Sequence, residues 1–176
     1  ERLLALAEMH RILPDGKYKE VITTVVPGII NRYENDFNKS FYAWGANAFI
    51  SLYASEPKQE YKEFIFKITD LLIESEYFAK NKTTIALGVF IEAFAPAYTF
   101  AKEVGDLNRE KIYKKKLKDA SRRLTKLQIT QKNDLDEKSY AAVEGGFCIN
   151  FSCPTIRLDN IQHGVAGLIA ARNAGL

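Results

Sequence analysis

The chain has 176 residues, of which 47% are hydrophobic and 27% charged, a composition typical of a globular domain that buries a core. Its formal net charge of only +3 is far from the balance of a general nucleic-acid-binding protein, so we predict no nucleic-acid partner. The longest apolar segment, 85–100, is too short to cross a bilayer and contains Glu92 and Pro96, so we also predict no membrane span.

Apolar residues recur at helical spacing in seven segments of the chain. In chain order the predicted helices span 1–13, 18–33, 41–54, 58–77, 84–104, 107–129 and 156–172. Pro14-Asp15-Gly16 predicts a turn after the first helix, and Pro27-Gly28 predicts a bend or break in the second. The periodicity is lost between 130 and 154, where only 147–151 has the pattern of a short strand.

The predicted helices are of two alternating types. Segments 41–54, 84–104 and 156–172 are rich in apolar and small residues, which is typical of helices buried on most faces. Segments 58–77 and 107–129 are amphipathic and carry a charged face. This alternation predicts an all-α fold of stacked antiparallel helical hairpins, each with an inner and an outer helix.

Two joints between these helices carry a family resemblance. The run Glu103-Val104-Gly105-Asp106-Leu107, followed by Tyr113 and Ala120, resembles the inner-to-outer turn of the (α/α) toroid superfamily of six-hairpin glycosidases and sugar epimerases. The run from Leu52-Tyr53 to Tyr61 resembles a second copy of that turn. The resemblance implies one α/α-hairpin domain over 1–176, either about half of a larger toroid or an open array. It also implies a saccharide or polysaccharide substrate in a bowl lined by the inner helices.

Functional side chains are densest between 144 and 163. Asp159 and His163 are four residues apart, so in a helix they share a face and can hydrogen-bond, which would fix the imidazole tautomer for general acid–base catalysis. Arg157 is a candidate for binding an acidic group such as a uronate carboxylate. The alternative interpretation is structural: Asp159 and Gln162 would form a helix capping box, and His163 would be a half-buried residue.

Further candidates lie around this group and in the apolar helices. Asn160 and Gln162 are predicted to bind substrate, and Glu144 is a reserve carboxylate. Glu92, alone in an apolar helix, is a candidate general acid, with pairing to a neighbouring cation as the alternative. The other candidates form a predicted stacking platform for sugar rings, unless they are core residues: Tyr42, Trp44 and Asn47.

Several further patterns leave their interpretation open. The cations between 109 and 126 are interpreted as a solvated outer face, with an anionic partner as the alternative. Cys148 and Cys153 can form a local disulfide or remain free thiols, so the compartment is not predicted. Three Asn-X-Ser/Thr triplets, at 38, 81 and 150, are frequent enough by chance to decide nothing.

No phosphate loop, nucleophile elbow or His/Cys metal spacing occurs, so we predict neither cofactor nor metal. Two other functions remain open beside the carbohydrate-active enzyme. One is a non-enzymatic helical-repeat module that binds a protein on its concave face. The other is a terpenoid-cyclase-like barrel, which would need an acidic cluster facing an apolar cavity. The oligomeric state is not predicted.

Overall fold

The computed structural model describes residues 1–14, 16–130, 137–153 and 156–176, and in these ranges the chain forms eight α-helices. Their bounds are α1 Arg2–Ile12, α2 Gly16–Tyr33, α3 Lys39–Ser55, α4 Gln59–Glu74, α5 Ala86–Glu103, α6 Leu107–Thr125, α7 Glu137–Val143 and α8 Leu158–Asn173. The β-structure of the described residues consists of two isolated antiparallel bridges, Gln128 with Phe147 and Cys148 with Ile156. The all-α prediction is therefore confirmed, and the predicted strand at 147–151 is reduced to single bridges.

The helices differ from the predicted segments in three places. The predicted break in the second helix is wrong, because α2 runs unbroken through Pro27, where the chain is exposed and water can satisfy the carbonyl that proline leaves unpaired. Asp15, in the predicted turn, lies outside the described residues. α4 ends at Glu74, and the turn that follows buries Tyr77 and Phe78. The seven-residue α7 was not predicted, since it is too short to show a period.

The inner helices α3 and α5 form the centre of the packing. α3 packs against α1, α4 and α5, and α5 packs in turn against α6 and α8. Aromatic rings fill the space between helices, including Phe49 against Phe64 and Phe94 against Tyr113. The predicted alternation of buried and amphipathic helices corresponds to real burial from α3 to α6. It is wrong for α8, which buries only one side of the helix, and closure into a toroid stays a prediction.

Glycines allow α5 and α8 to touch main chain to main chain. A Cβ atom added to Gly88 would lie 2.5 Å from the carbonyl oxygen of His163, and one added to Gly167 would lie 2.6 Å from the carbonyl oxygen of Gly88. A Cβ at Gly164 would lie 2.7 Å from the ring of Phe147. At Gly88 and Gly167 no other residue type fits without moving a helix, and at Gly164 the ring of Phe147 would have to move, so the crossing fixes where α8 lies on α5.

The connection that leads into α8 is fastened at several points. Cys148 and Cys153 form a disulfide, which resolves the alternative that the sequence left open. The backbone N–H of Ile85, just before α5, donates to the carbonyl of Ile149 at 3.0 Å. Cys148 also forms the antiparallel β-bridge with Ile156, two residues before α8. The connection is therefore held by hydrogen bonds both to the start of α5 and to the chain that enters α8.

A polar network joins α4 to α6. Asp106 is the N-cap of α6, and its Oδ1 accepts the backbone N–H of Arg109 at 3.0 Å. The Arg109 guanidinium donates to Oδ2 of Asp106 at 2.8 Å and to Oδ2 of Asp70 at 2.9 Å. The hydroxyl of Tyr113 donates to Oδ1 of Asp70 at 2.7 Å, and burial together with this hydrogen bond raises the pKa of Tyr113.

The outer surface of α8 is partly apolar. Leu158, Val165 and Ile169 expose 83%, 43% and 52% of their surface and share one face of the helix, opposite its buried residues. None of the helices in the described part of the chain has the length and apolarity needed to cross a bilayer.

Candidate functional site

The candidate site is an imidazole–carboxylate pair between α8 and α5. Nδ1 of His163 lies 2.7 Å from Oε1 of Glu92, which is hydrogen-bond distance. The two side chains expose 24% and 23% of their surface. The pair is therefore shielded on most sides but still open to a ligand from solvent.

The glycine crossing explains why these two residues meet. Gly88 lies one turn before Glu92 on α5 and contacts the main chain of His163 and Gly164 on α8. Residues four apart on a helix share a face, so the contact that positions Gly88 also directs Glu92 toward α8. The pair is thus held by the packing of two helices and needs no loop to position it.

The pair has the arrangement of a tautomer-fixed general base. When His163 is neutral, Nδ1–H donates to the Glu92 carboxylate, and Nε2 presents its lone pair. Within the described ranges no other hydrogen bond or ion pair engages either side chain. Nε2 is therefore available to accept a proton from a bound molecule and to return it.

Asp159 is not the partner of His163, and this part of the sequence-based prediction is wrong. The guanidinium of Arg157 donates to both carboxylate oxygens of Asp159, from Nε to Oδ1 at 3.0 Å and from Nη2 to Oδ2 at 2.9 Å. Both side chains are more than half exposed, at 60% for Arg157 and 51% for Asp159. The capping-box alternative is also wrong, because the N-cap of α8 is Arg157 and Asp159 lies inside the first turn.

The remaining candidates between 144 and 163 are scattered. Asn160 is 7% exposed, and its Nδ2 has no hydrogen-bond partner among the described atoms. Gln162 is exposed on α8. Glu144 is exposed beyond the end of α7 and accepts a hydrogen bond from the hydroxyl of Tyr140 at 3.0 Å. In the described part of the chain, no hydrogen bond or ion pair joins these three side chains to Glu92 or His163.

The predicted stacking platform does not form as one surface. Tyr42 is 1% exposed, so its ring is a core element and cannot meet a sugar in this structure; burial also raises its pKa. Trp44 is half-buried beside an open hollow of about 670 Å³ between α1, α2 and α3. Asn47 lines a separate hollow of about 450 Å³ with Glu8 and Arg11 of α1.

The five hollows described among these residues lie away from the Glu92–His163 pair. The largest of the five described hollows, about 850 Å³, includes the disulfide and the end of α6. None of these five hollows is lined by Glu92 or His163. Over the same residues, no three His, Cys, Asp or Glu side chains are grouped closely enough to share a metal ion. The pair is therefore a partly exposed dyad with one carboxylate.

Comparison with models of known protein families, with curated proteins and with solved structures finds no match for this chain. The function of the chain is therefore inferred from the geometry of the site. Sequence reasoning named both Glu92 and His163 but did not pair them, since they are 71 positions apart. The available signal was the pair of small-residue patterns, Gly88 on α5 and Gly164 with Gly167 on α8, which predict two helices in close contact.

Proposed function

We propose that this chain is a carbohydrate-active enzyme domain in which His163 transfers a proton to and from a saccharide while Glu92 orients its imidazole. The observation that carries the proposal is the 2.7 Å contact between Nδ1 of His163 and Oε1 of Glu92 in a partly shielded position. A carboxylate on one ring nitrogen leaves the other free for proton transfer, which is the usual arrangement of a histidine general base.

The number of carboxylates favours one class of reaction. Glycoside hydrolysis in most families uses two carboxyl groups on opposite sides of the bond that breaks. Here Glu92 is the carboxylate in contact with His163, while Asp159 is paired with Arg157 and Glu144 with Tyr140. A single base with an orienting carboxylate suits removal of a proton from a sugar carbon, as in elimination or epimerisation.

The substrate class comes from the resemblance of the hairpin turns to the (α/α) toroid superfamily. In such reactions the proton that leaves the sugar carbon is more acidic when a carboxylate is attached to that carbon. A uronate would supply this group, and the exposed Arg157, the N-cap of α8, is the nearest guanidinium in sequence to His163. The proposed reaction is therefore β-elimination or epimerisation of a uronate-containing saccharide.

The test measures proton exchange and turnover on uronate polymers. We expect the wild-type chain to incorporate solvent deuterium into the saccharide or to form an unsaturated product. His163→Ala should lower this rate by about 10²-fold or more, because the proton acceptor is lost. Glu92→Gln should lower it less and change the pH–rate profile. Asn173→Ala, an exposed change at the other end of the same helix, is the matched control and should leave the rate unchanged.

Thermal unfolding of each variant separates chemistry from stability. A melting temperature near the wild-type value with the rate lost supports a catalytic His163. A collapse of stability in His163→Ala with full activity per folded molecule would show that the residue is structural. An unchanged pH–rate profile in Glu92→Gln would remove the carboxylate from the mechanism.

A second candidate function is a helical-repeat module that binds another protein, and the exposed apolar residues of α8 favour it. Leu158, Val165 and Ile169 lie on one exposed face, interrupted by the polar Gln162, of a helix that is otherwise packed on α5. This function predicts that substitutions of His163 and Glu92 leave partner binding intact, whereas Ile169→Asp abolishes it.

A further inference from the structure

The outer face of α6 carries six cations in register. Lys111 is followed at helical spacings of 3, 4, 7, 11 and 15 residues by the other five members, so all lie on one side of the helix. We call this surface the basic face: Lys111, Lys114, Lys115, Lys118, Arg122 and Lys126. All six are exposed, and the opposite side of α6 is buried through Tyr113, Leu117, Ala120 and Leu124.

The cations of the basic face have no anionic partner in the described part of the chain. The two other arginines of α6 are engaged: Arg109 binds Asp70 and Asp106, and Arg123 binds Asp119. No ion pair or hydrogen bond joins a side chain of the basic face to any described residue. Arg109 and Arg123 therefore form the salt bridges of α6, and the positive charge of the basic face is not neutralised by any described residue.

Charge is segregated along the chain. Of its 25 Lys and Arg and 22 Asp and Glu, residues 107–126 hold nine cations and two acids, and the remainder holds sixteen cations and twenty acids. The small overall charge of +3 thus conceals one strongly basic helix in an otherwise acidic chain. A solvated helix surface usually mixes both signs, so the segregation indicates a surface that meets an external anion.

Keeping these charges together is unfavourable for the folded chain alone. Like charges three or four residues apart on a helix repel one another, and the basic face has about six such pairs. A bound polyanion would offset this repulsion.

The geometry favours a linear anionic polymer over a membrane or a nucleic acid. The basic face is a single ridge about 22 Å long, from Lys111 to Lys126 at 1.5 Å per residue. The apolar side of α6 is buried in the core and cannot enter a bilayer as an interfacial helix must. The face also presents no aromatic ring on which nucleic-acid bases could stack.

We propose that the basic face of α6 binds an acidic polysaccharide, so that the enzyme acts on a polyuronate held along this helix. The inference rests on the proposed function, because α6 packs against both α5 and α8, the helices that carry Glu92 and His163. The basic face points away from both helices, so polymer bound on α6 would tether the substrate to the domain and raise its local concentration, without itself placing a uronate at the dyad.

The test compares two variants that lose the same charge. The first combines Lys111→Gln, Lys114→Gln, Lys118→Gln and Arg122→Gln on the basic face. The second combines Lys39→Gln, Lys67→Gln, Lys80→Gln and Lys102→Gln, four exposed lysines on other elements. Binding of the full chain to polygalacturonate, polymannuronate and neutral dextran is measured by calorimetry over a range of salt concentrations.

We expect the wild-type chain to bind at least one polyuronate, in a salt-dependent manner, and not dextran. The basic-face variant should bind about tenfold more weakly or worse, because it loses four of the six cations that would pair with the polymer. The control variant should stay within about twofold of wild type. Equal losses in both variants, no binding to either polyuronate, or tighter binding to phosphatidylserine vesicles or duplex DNA would overturn the proposal.

His163→Ala separates this proposal from the catalytic one. It should bind polyuronate as the wild type does while turnover is lost, which supports both. Polyuronate binding by the basic face without any turnover in the wild type would overturn the catalytic proposal and leave this one standing. Turnover of a saccharide without binding to the basic face would overturn the basic-face proposal and leave the catalytic one standing.

Discussion

Asp106 performs two tasks with one carboxylate. It caps α6 by accepting the backbone N–H of Arg109, and it accepts the guanidinium of the same residue, which also reaches Asp70 on α4. The backbone N–H and then the guanidinium hold the pKa of Asp106 below its ordinary value of 3.8. A carboxyl with a lowered folded-state pKa stabilises the folded chain above 3.8, and this contribution is lost as pH falls through the folded-state value.

We therefore predict a pH-dependent effect of Asp106 substitutions on stability. Asp106→Ala should lower the free energy of unfolding at pH 7 by about 1 kcal/mol or more, because the cap is lost. Asp106→Asn keeps a capping oxygen but does not titrate, so its stability relative to wild type should improve as pH falls below 3.8. Urea unfolding at pH 7 and near pH 3 measures both. If the difference in free energy of unfolding between Asp106→Asn and wild type were the same at both pH values, the lowered pKa of Asp106 would be contradicted.

The contact between α5 and α8 dominates at the scale of elements. Gly88→Ala would place a methyl group 2.5 Å from the carbonyl oxygen of His163, and the backbone atoms there cannot turn away as a side chain can. We predict a loss of about 2–3 kcal/mol in the free energy of unfolding, together with loss of the hydrogen bond between Glu92 and His163. Thermal unfolding and the NMR signals of the imidazole measure the two effects.

Gly28→Ala is the matched control for this prediction. Gly28 also lies inside a helix, α2, but an added Cβ would meet no atom within 4 Å. The substitution should raise the free energy of unfolding by about 0.5–1 kcal/mol, since alanine restricts the unfolded chain. Similar effects of the two substitutions would show that the α5–α8 contact is looser than the structure describes.

Periodicity predicted most of the elements, and packing decided the rest. Seven helices follow from apolar spacing, because a buried stripe recurs every three or four residues whatever it packs against. The continuation of α2 through Pro27 and the presence of the short α7 depend on solvent exposure and on contacts with other parts of the chain. The spacing of apolar residues within a segment does not encode either. Glu92 and His163 were predicted singly, but their pairing depends on how two distant helices cross. Asp159 was predicted instead because it is near His163 in sequence.

At the scale of the whole molecule, the basic face predicts how salt affects stability. Raising sodium chloride from about 0.01 M to about 1 M shortens the screening length from about 30 Å to about 3 Å, so repulsion among the six cations should largely vanish. The melting temperature should rise by about 2–4 °C for each kcal/mol of repulsion removed. The surface ion pairs oppose this change only weakly, since each contributes about 1 kcal/mol or less.

The two fourfold variants defined above, the basic-face variant and the control variant, also serve here. The basic-face variant should be more stable than wild type at low salt and should lose most of the salt response. The control variant should retain the response. A melting temperature of the wild type that falls with salt would mean that favourable ion pairs outweigh the repulsion on α6.

The glycine crossing has one more consequence. α5 and α8 touch through their backbones, with no layer of side chains between them. The distance between the His163 imidazole and the Glu92 carboxylate therefore cannot change gradually with warming or mild denaturant. It can change only when the two helices separate. The NMR signals of the His163 imidazole should therefore stay in place up to the cooperative transition and change there in one step.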